Sequence, residues 1–177
     1  MTLDAAPVVR AATAADLDRV AEIYAFYVLH TVATFEETPP GAAGWRARLD
    51  DLAARGLPFL VAEASGEVVG YAYAGPWRPK PAYRHTAETS VYLARDRRGH
   101  GLGGTLLAAL LTACAGTPVR RLIAVVAADD TTGAASIALH GRHGFTQAGR
   151  LTAVGFKHGR WIDTVLMERA VGGVGLP

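Results

Sequence analysis

The chain predicts an α+β fold: a mixed, mostly antiparallel sheet with a central parallel strand–helix–strand crossover and helices on both faces. Three observations carry this. Short apolar or alternating runs take turns with segments of helical spacing along the whole chain. "PFLVAEA" and "EVVGYAYAG" flank the turn "SGE" and read as an antiparallel hairpin. "TAETSVYL", an apolar helix and "RRLIAVVAA" then follow one another, the order of a parallel, right-handed crossover. The 177 residues suit one domain with a sizeable core, assigned to 1–170, with "VGGVGLP" at 171–177 as a loose tail.

Each element has its own signal. "PVVRAA" is a short strand. Thr13 and Asp16 have capping-box spacing, and Leu17, Val20, Ala21, Tyr24, Tyr27 and Val28 recur as one helix face to about His30. "TVATFEET" reads as a short extended segment. Trp45, Leu49, Leu52 and Ala53 mark a second helix, stopped near Gly56. After the hairpin, the three prolines of "GPWRPKPAYRH" make a structured loop. In "TAETSVYL", Ala87, Thr89, Val91 and Leu93 point one way, and Thr86, Glu88, Ser90 and Tyr92 the other. Leu106, Leu107, Leu110, Leu111 and Cys114 give a helix with one buried face. "RRLIAVVAA" is apolar enough for the middle of a sheet. A further helix covers roughly 133–143 and stops at Gly144. Two strands joined around "GFKHGRW" close the fold.

Composition narrows the function. Half the residues are hydrophobic, 19% are charged and the net charge is +2, as in an ordinary globular protein. No Lys/Arg block resembles a nucleic-acid-binding arm. The single cysteine, Cys114, excludes an internal disulfide and a cysteine-rich metal site, and implies a reduced, cytoplasmic setting. No signal pattern opens the chain and no apolar run is long enough for a bilayer, so neither membrane nor metal is expected.

The most informative stretch is "RDRRGHGLGG", from Arg95 to Gly104. A helix start carries unpaired N–H groups and partial positive charge, glycines let the backbone lie against a ligand, and Arg97 and Arg98 add full charge. The combination suits an anion, most naturally a pyrophosphate. The nucleoside triphosphatase loop is excluded, because no Gly-Lys-Ser/Thr follows. The dinucleotide pattern G-x-G-x-x-G matches Gly99, Gly101 and Gly104. However, "ARDRR" separates it from the strand and antiparallel strands precede it. The third reading is Arg-x-x-Gly-x-Gly at Arg98, Gly101 and Gly103, which resembles the acyl-CoA pyrophosphate loop of the GNAT acetyltransferase superfamily. Together with "GPWRPKPAYRHTAETSVYL" and "GFKHGRWIDTVLM", the chain resembles the phosphinothricin and methionine sulfoximine N-acetyltransferase family from about Val8 to Arg169.

That resemblance implies transfer of acetyl from acetyl-CoA to the α-amine of a small amino-acid-like substrate such as phosphinothricin, methionine sulfoximine or methionine sulfone. It implies that Glu88 is the general base; strand pattern alone reads Glu88 as a solvated glutamate. It implies an oxyanion donor at a backbone N–H near Leu93, with Val91, Tyr92 and Leu93 pairing the pantetheine arm as a strand would. Arg98, Gly99, His100, Gly101, Leu102, Gly103, Gly104 and Thr105 wrap the pyrophosphate, His100 through its backbone. His140, where the family also carries a histidine, orders the thiol or the base, or is a packed helical histidine. A carboxylate-bearing substrate suits Arg78, Tyr83 and Arg84, with Phe35 as a wall. Trp161 packs in the closing hairpin, which by resemblance reaches a second subunit of a homodimer. Lys157 lies near either site. The superfamily's asparagine before the fourth helix is missing from "AADDTTGAASIALH": Gly133 stands near its place, leaving Asp130 or Thr132 as substitutes. Three rivals stay open: another small amine as acceptor, a non-catalytic acyl-CoA-binding module, and a dinucleotide-dependent oxidoreductase.

Overall fold

In the computed structural model, which describes residues 6–128 and 131–172, strand β1 (Val8–Ala11) leads through a capped turn into helix α1 (Leu17–His30). Helix α2 (Ala42–Ala54), the hairpin β2 (Phe59–Ala64) and β3 (Glu67–Pro76), and β4 (Thr86–Leu93) follow. Then come α3 (Leu102–Ala115), β5 (Arg121–Ala127), α4 (Thr131–Arg142), β6 (Thr146–Lys157) and β7 (Arg160–Ala170). One seven-stranded sheet runs β1-β2-β3-β4-β5-β7-β6. Every neighbouring pair is antiparallel except β4 and β5, the parallel pair that α3 connects. The element order and the class are those the sequence predicts.

Strand alternation divides the core into two layers. Val61, Tyr71 and Tyr92 project toward α1 and α2, where Val20, Tyr24, Tyr27 and Trp45 meet them. Ala62, Ala72, Ala87 and Leu122 project the other way, onto Leu106, Leu107, Leu110 and Cys114 of α3. The Thr13–Asp16 spacing does its predicted work: Asp16 accepts from the Thr13 N–H at 2.7 Å and from its hydroxyl at 2.9 Å. Arg10 adds a bidentate pair to the same carboxylate, which holds it near a pKa of about 2.

Two stretches differ from expectation. "TVATFEET" forms bends rather than an extended segment. The Thr31 hydroxyl donates to the Tyr27 carbonyl and accepts from the Ala33 N–H, and the Thr34 hydroxyl accepts from the Glu36 N–H. Such local side-chain bonds offer the backbone an alternative to a ladder. Of the tail expected over 171–177, Val171 is packed: it is buried and its N–H donates to the Arg120 carbonyl, while 173–177 lie outside the described residues.

The closing hairpin carries a bulge. From Leu151 to Gly155 β6 advances by four positions while β7 advances by two, from Thr164 to Ile162. Ala153 there takes φ 52°, and its N–H donates to the Asp163 carboxylate at 2.7 Å, which Arg150 also holds at 2.7 Å. Beyond the bulge, Gly155 and Lys157 face inward and Phe156 outward.

Candidate active site

The site is a fork in the sheet. β4 and β5 pair only from Thr86 to Glu88 against Arg121 to Ile123. Past Glu88, β4 runs on to Leu93 bonded only to β3, and β5 runs on to Ala127 bonded only to β7. The facing backbone edges are left open to a cleft of about 540 Å³. Glu88 to Leu93 form one wall and Ala124 to Ala127 the other, with Thr34 and Phe35 on one side and the start of α3 and inner face of α4 on the other. An extended polar chain laid in the fork finds strand-like N–H and C=O partners.

Glu88 stands at the crotch, half-buried, with no hydrogen bond or ion pair among the described residues. Burial pushes its carboxyl above the ordinary glutamate value. A desolvated carboxylate without a partner, in a cleft, is a candidate proton acceptor.

His140 is buried on α4 and touches the next residue, not Glu88. Adjacent strand residues point to opposite faces, so Thr89 meets His140 while Glu88 looks toward α1. His140 Nδ1–H donates to the Ser136 carbonyl at 2.8 Å, which leaves Nε2 to accept from the Thr89 hydroxyl at 3.3 Å. Burial lowers its pKa and favours the neutral ring. His140 and Glu88 share the cleft from opposite sides of the sheet.

The glycine loop closes the wide end. Gly99 and Gly101 sit at φ 84° and 80°, a left-handed region that side chains with a Cβ avoid. Gly104 and Thr105 donate their N–H groups to the Gly101 carbonyl, whereas the N–H groups of Gly101, Leu102 and Gly103, at the start of the helix, have no backbone partner among the described residues. Arg98, Gly99, Gly101, Gly103 and Gly104 line the cleft. The Arg98 guanidinium lies 5.7 Å from the Phe26 ring centre at its mouth.

Three of the sequence-expected loop residues stand off this wall. The Leu102 side chain belongs to the core under α3, Thr105 is exposed and spends its N–H inside the helix, and His100 borders a separate depression with Asp96 and Arg97. Val91 and Leu93 line the fork; Tyr92 does so from a ring packed edge-on against Tyr24 and Tyr27. Phe35 is a cleft wall as expected, whereas Arg78, Tyr83 and Arg84 are exposed on the β3–β4 connection outside the wall. That connection leaves the sheet just beyond Gly75, the residue paired with Glu88. Asp130 lies outside the described residues. Thr132 lines the cleft, and a side chain at Gly133 would collide with the Ala127 carbonyl oxygen, so no asparagine fits there.

Sequence reasoning missed Thr34, Thr89, Ser136, Arg142 and Thr164, all on the cleft wall. For Thr89 and Ser136 a signal existed. Thr89 is a polar residue on the apolar face of its strand, and Ser136 stands four residues before His140.

A forked parallel pair, a glycine-rich loop at the next helix and an unpaired carboxylate at the crotch suit a group-transfer enzyme with a long extended cosubstrate. The chain belongs to the GNAT acetyltransferase family: the family model for the Acetyltransferase (GNAT) domain matches residues 9–166. It is an acyltransferase. It is 52% identical over 154 residues to a phosphinothricin N-acetyltransferase of Alcaligenes faecalis, covering 87% of this chain and 77% of that one. It is 44% identical over 161 residues to an L-methionine sulfoximine/L-methionine sulfone acetyltransferase of Pseudomonas aeruginosa, covering 90% and 92%. Among solved structures, a GNAT phosphinothricin acetyltransferase from Sinorhizobium meliloti in complex with acetyl-CoA superposes with a TM-score of 0.88 at 44% identity. That match covers 94% of this chain and 89% of that one. No described helix is long and apolar enough to cross a membrane.

Proposed function

We propose that this protein transfers acetyl from acetyl-CoA directly to the α-amine of an amino-acid-like acceptor of the phosphinothricin, methionine sulfoximine or methionine sulfone type. The observation that carries the reading is the unpartnered, desolvated Glu88 at the crotch of the fork. Pyrophosphate binds at Arg98 and the N–H groups of Gly101 to Gly103, and the pantetheine arm pairs with Val91 to Leu93. The thioester then lies beside Glu88. The ammonium of the acceptor gives a proton to the Glu88 carboxylate, directly or through water, and the freed lone pair attacks the acetyl carbon. The carbonyl oxygen becomes an oxyanion held by an open β4 N–H near Leu93. Collapse breaks the C–S bond; the nitrogen, cationic after attack, sheds its second proton to solvent, the departing thiolate takes one up from solvent, and Glu88 returns its proton to water. His140 acts on the thiol side through Thr89. Arg78, Tyr83 and Arg84 meet the acceptor carboxylate from the β3–β4 connection. The names of the relatives and the acetyl-CoA complex of the Sinorhizobium meliloti protein support this reading.

The test is free-thiol release from acetyl-CoA by purified protein offered those three acceptors and a panel of ordinary amino acids. Saturable turnover on one of the three is expected. Tight acetyl-CoA binding with no turnover on any amine would overturn the enzyme in favour of a binding module.

The catalytic domain spans 1–170, works in the cytoplasm and pairs as a homodimer through the β6–β7 hairpin. Leu151, Val154, Phe156 and Trp161 are all exposed there, Trp161 at 66%, with the Phe156 and Trp161 rings 5.1 Å apart. An apolar ridge of this kind marks an interface. Trp161→Glu is expected to convert a dimeric mass into a monomeric one by light scattering; an unchanged mass would place the interface elsewhere.

A further inference from the structure

The inner face of the same hairpin bears on the acceptor side of the cleft. Phe35, the exposed aromatic of that wall, lies flat on Gly155 of β6. A Cβ built on Gly155 would stand 2.6 to 2.9 Å from three atoms of the Phe35 ring, closer than any real carbon contact. Two residues on, the buried Lys157 donates from Nζ to the Thr34 carbonyl at 2.7 Å. Val32, at the start of the loop, is buried against Ile162 of β7 and Ala127 of β5. From the other side the Thr34 hydroxyl meets the Tyr24 phenol at 2.7 Å. The loop that carries Thr34 and Phe35 therefore hangs between α1 and the hairpin, and the hairpin holds it at three points: Gly155 under Phe35, Lys157 on Thr34 and Ile162 against Val32.

We infer that Gly155 is a positioning residue that sets the depth of the acceptor pocket by seating Phe35. This rests on the reading of the cleft as an amine acceptor site. With no side chain at 155 the ring sinks onto the β6 backbone and leaves room beside Glu88. With one methyl there it must rise by about 1 Å to restore ordinary carbon contact, and the space it rises into is the cleft. The pocket is thus sized from behind, by a residue that touches no substrate. The Lys157 bond fixes the loop backbone so that the ring, rather than the loop, takes up the change. Edge-strand glycines often mark a close approach of another group, and here that group is the wall of a site.

The experiment is Gly155→Ala, Phe35→Leu and the double variant, each measured for the KM of both substrates. Gly155→Ala is expected to raise the acceptor KM about tenfold, the scale on which one methylene is discriminated in an apolar pocket. The rise should be larger for methionine sulfone than for a shorter acceptor, with the acetyl-CoA KM unchanged. Phe35→Leu in the Gly155→Ala background should recover most of the loss, because the smaller side chain no longer needs the seat. A merely structural glycine would raise both KM values together and would not be rescued by leucine, and that result overturns the inference. If the unaltered protein turns over no amine, the functional reading fails and the seat is tested by melting temperature alone. Gly155→Ala should then lower it and Phe35→Leu should partly restore it. Additive losses would overturn the seat.

Discussion

Glutamine in place of Glu88 is expected to lower kcat/KM by about 10²- to 10⁴-fold, the range supplied by a positioned general base, while acetyl-CoA binding stays intact. The same substitution should raise the melting temperature at neutral pH. The reason is the burial that makes Glu88 useful. Its carboxyl is desolvated without a partner, so its pKa in the folded protein lies above the unfolded value. The folded state then holds its proton more tightly than the unfolded chain does. Stability from this group is fully present below the unfolded pKa and is lost as pH rises through the folded one. Glutamine carries no such charge, so the variant gains on the natural protein above that window and the two converge at acid pH. A melting curve at several pH values reads this directly. The rate gives the opposite view of the same titration: kcat/KM should fall on the acid side as Glu88 takes up a proton, at a pH above the ordinary glutamate range. Equal stability at all pH values would mean that Glu88 is solvated. Near-normal turnover by the glutamine variant would move the base elsewhere.

Much of this was legible in the sequence, for identifiable reasons. Alternation in "TAETSVYL" placed Glu88 and Thr89 on opposite faces, and "GHGLGG" before an apolar run placed a glycine loop at a helix start. These are local signals and local geometry answers to them. The fork is not local. Nothing in "TAETSVYL" or "RRLIAVVAA" says that their pairing ends after Glu88 and Ile123, because strand separation depends on what packs between and beneath. The Phe35 seat was illegible for the same reason: 120 residues separate it from Gly155, and a glycine in "VGFKHG" looks like any strand glycine until the ring is seen upon it. The loop residues that fell off the cleft wall show the converse. The pattern marks the segment, but hydrogen bonding inside the first turn decides which N–H groups are left: Thr105 is used by the helix, Gly103 is not.

That accounting makes the glycine loop the place for the second large effect. Gly101→Val is expected to weaken acetyl-CoA binding by about 100-fold, measured by calorimetry. Gly101 caps α3 at φ 80°, and a β-branched residue cannot hold that conformation without strain of about 1–3 kcal/mol. The loop must re-bend, which turns the N–H groups of Gly101 to Gly103 away from the cleft. Hydrogen bonds to a charged group contribute about 1.5–3 kcal/mol each, so losing one or two suffices for the stated factor. The branched side chain also occupies the cleft where Gly101 now leaves space. Arg98→Ala should cost less, about tenfold, because its guanidinium is exposed at the mouth and screened by solvent, and that loss should shrink as salt is added. Gly116→Ala is the control: Gly116 ends the same helix at φ −86°, a conformation open to any residue, and should leave binding unchanged. The acceptor KM, extrapolated to saturating acetyl-CoA, should hold in Gly101→Val, since Phe35 and Glu88 stand at the other end of the fork. Unaltered acetyl-CoA affinity in this variant would refute the loop as the pyrophosphate site. Retained NAD binding with acetyl-CoA binding absent from both proteins would restore the dinucleotide reading of Gly99, Gly101 and Gly104.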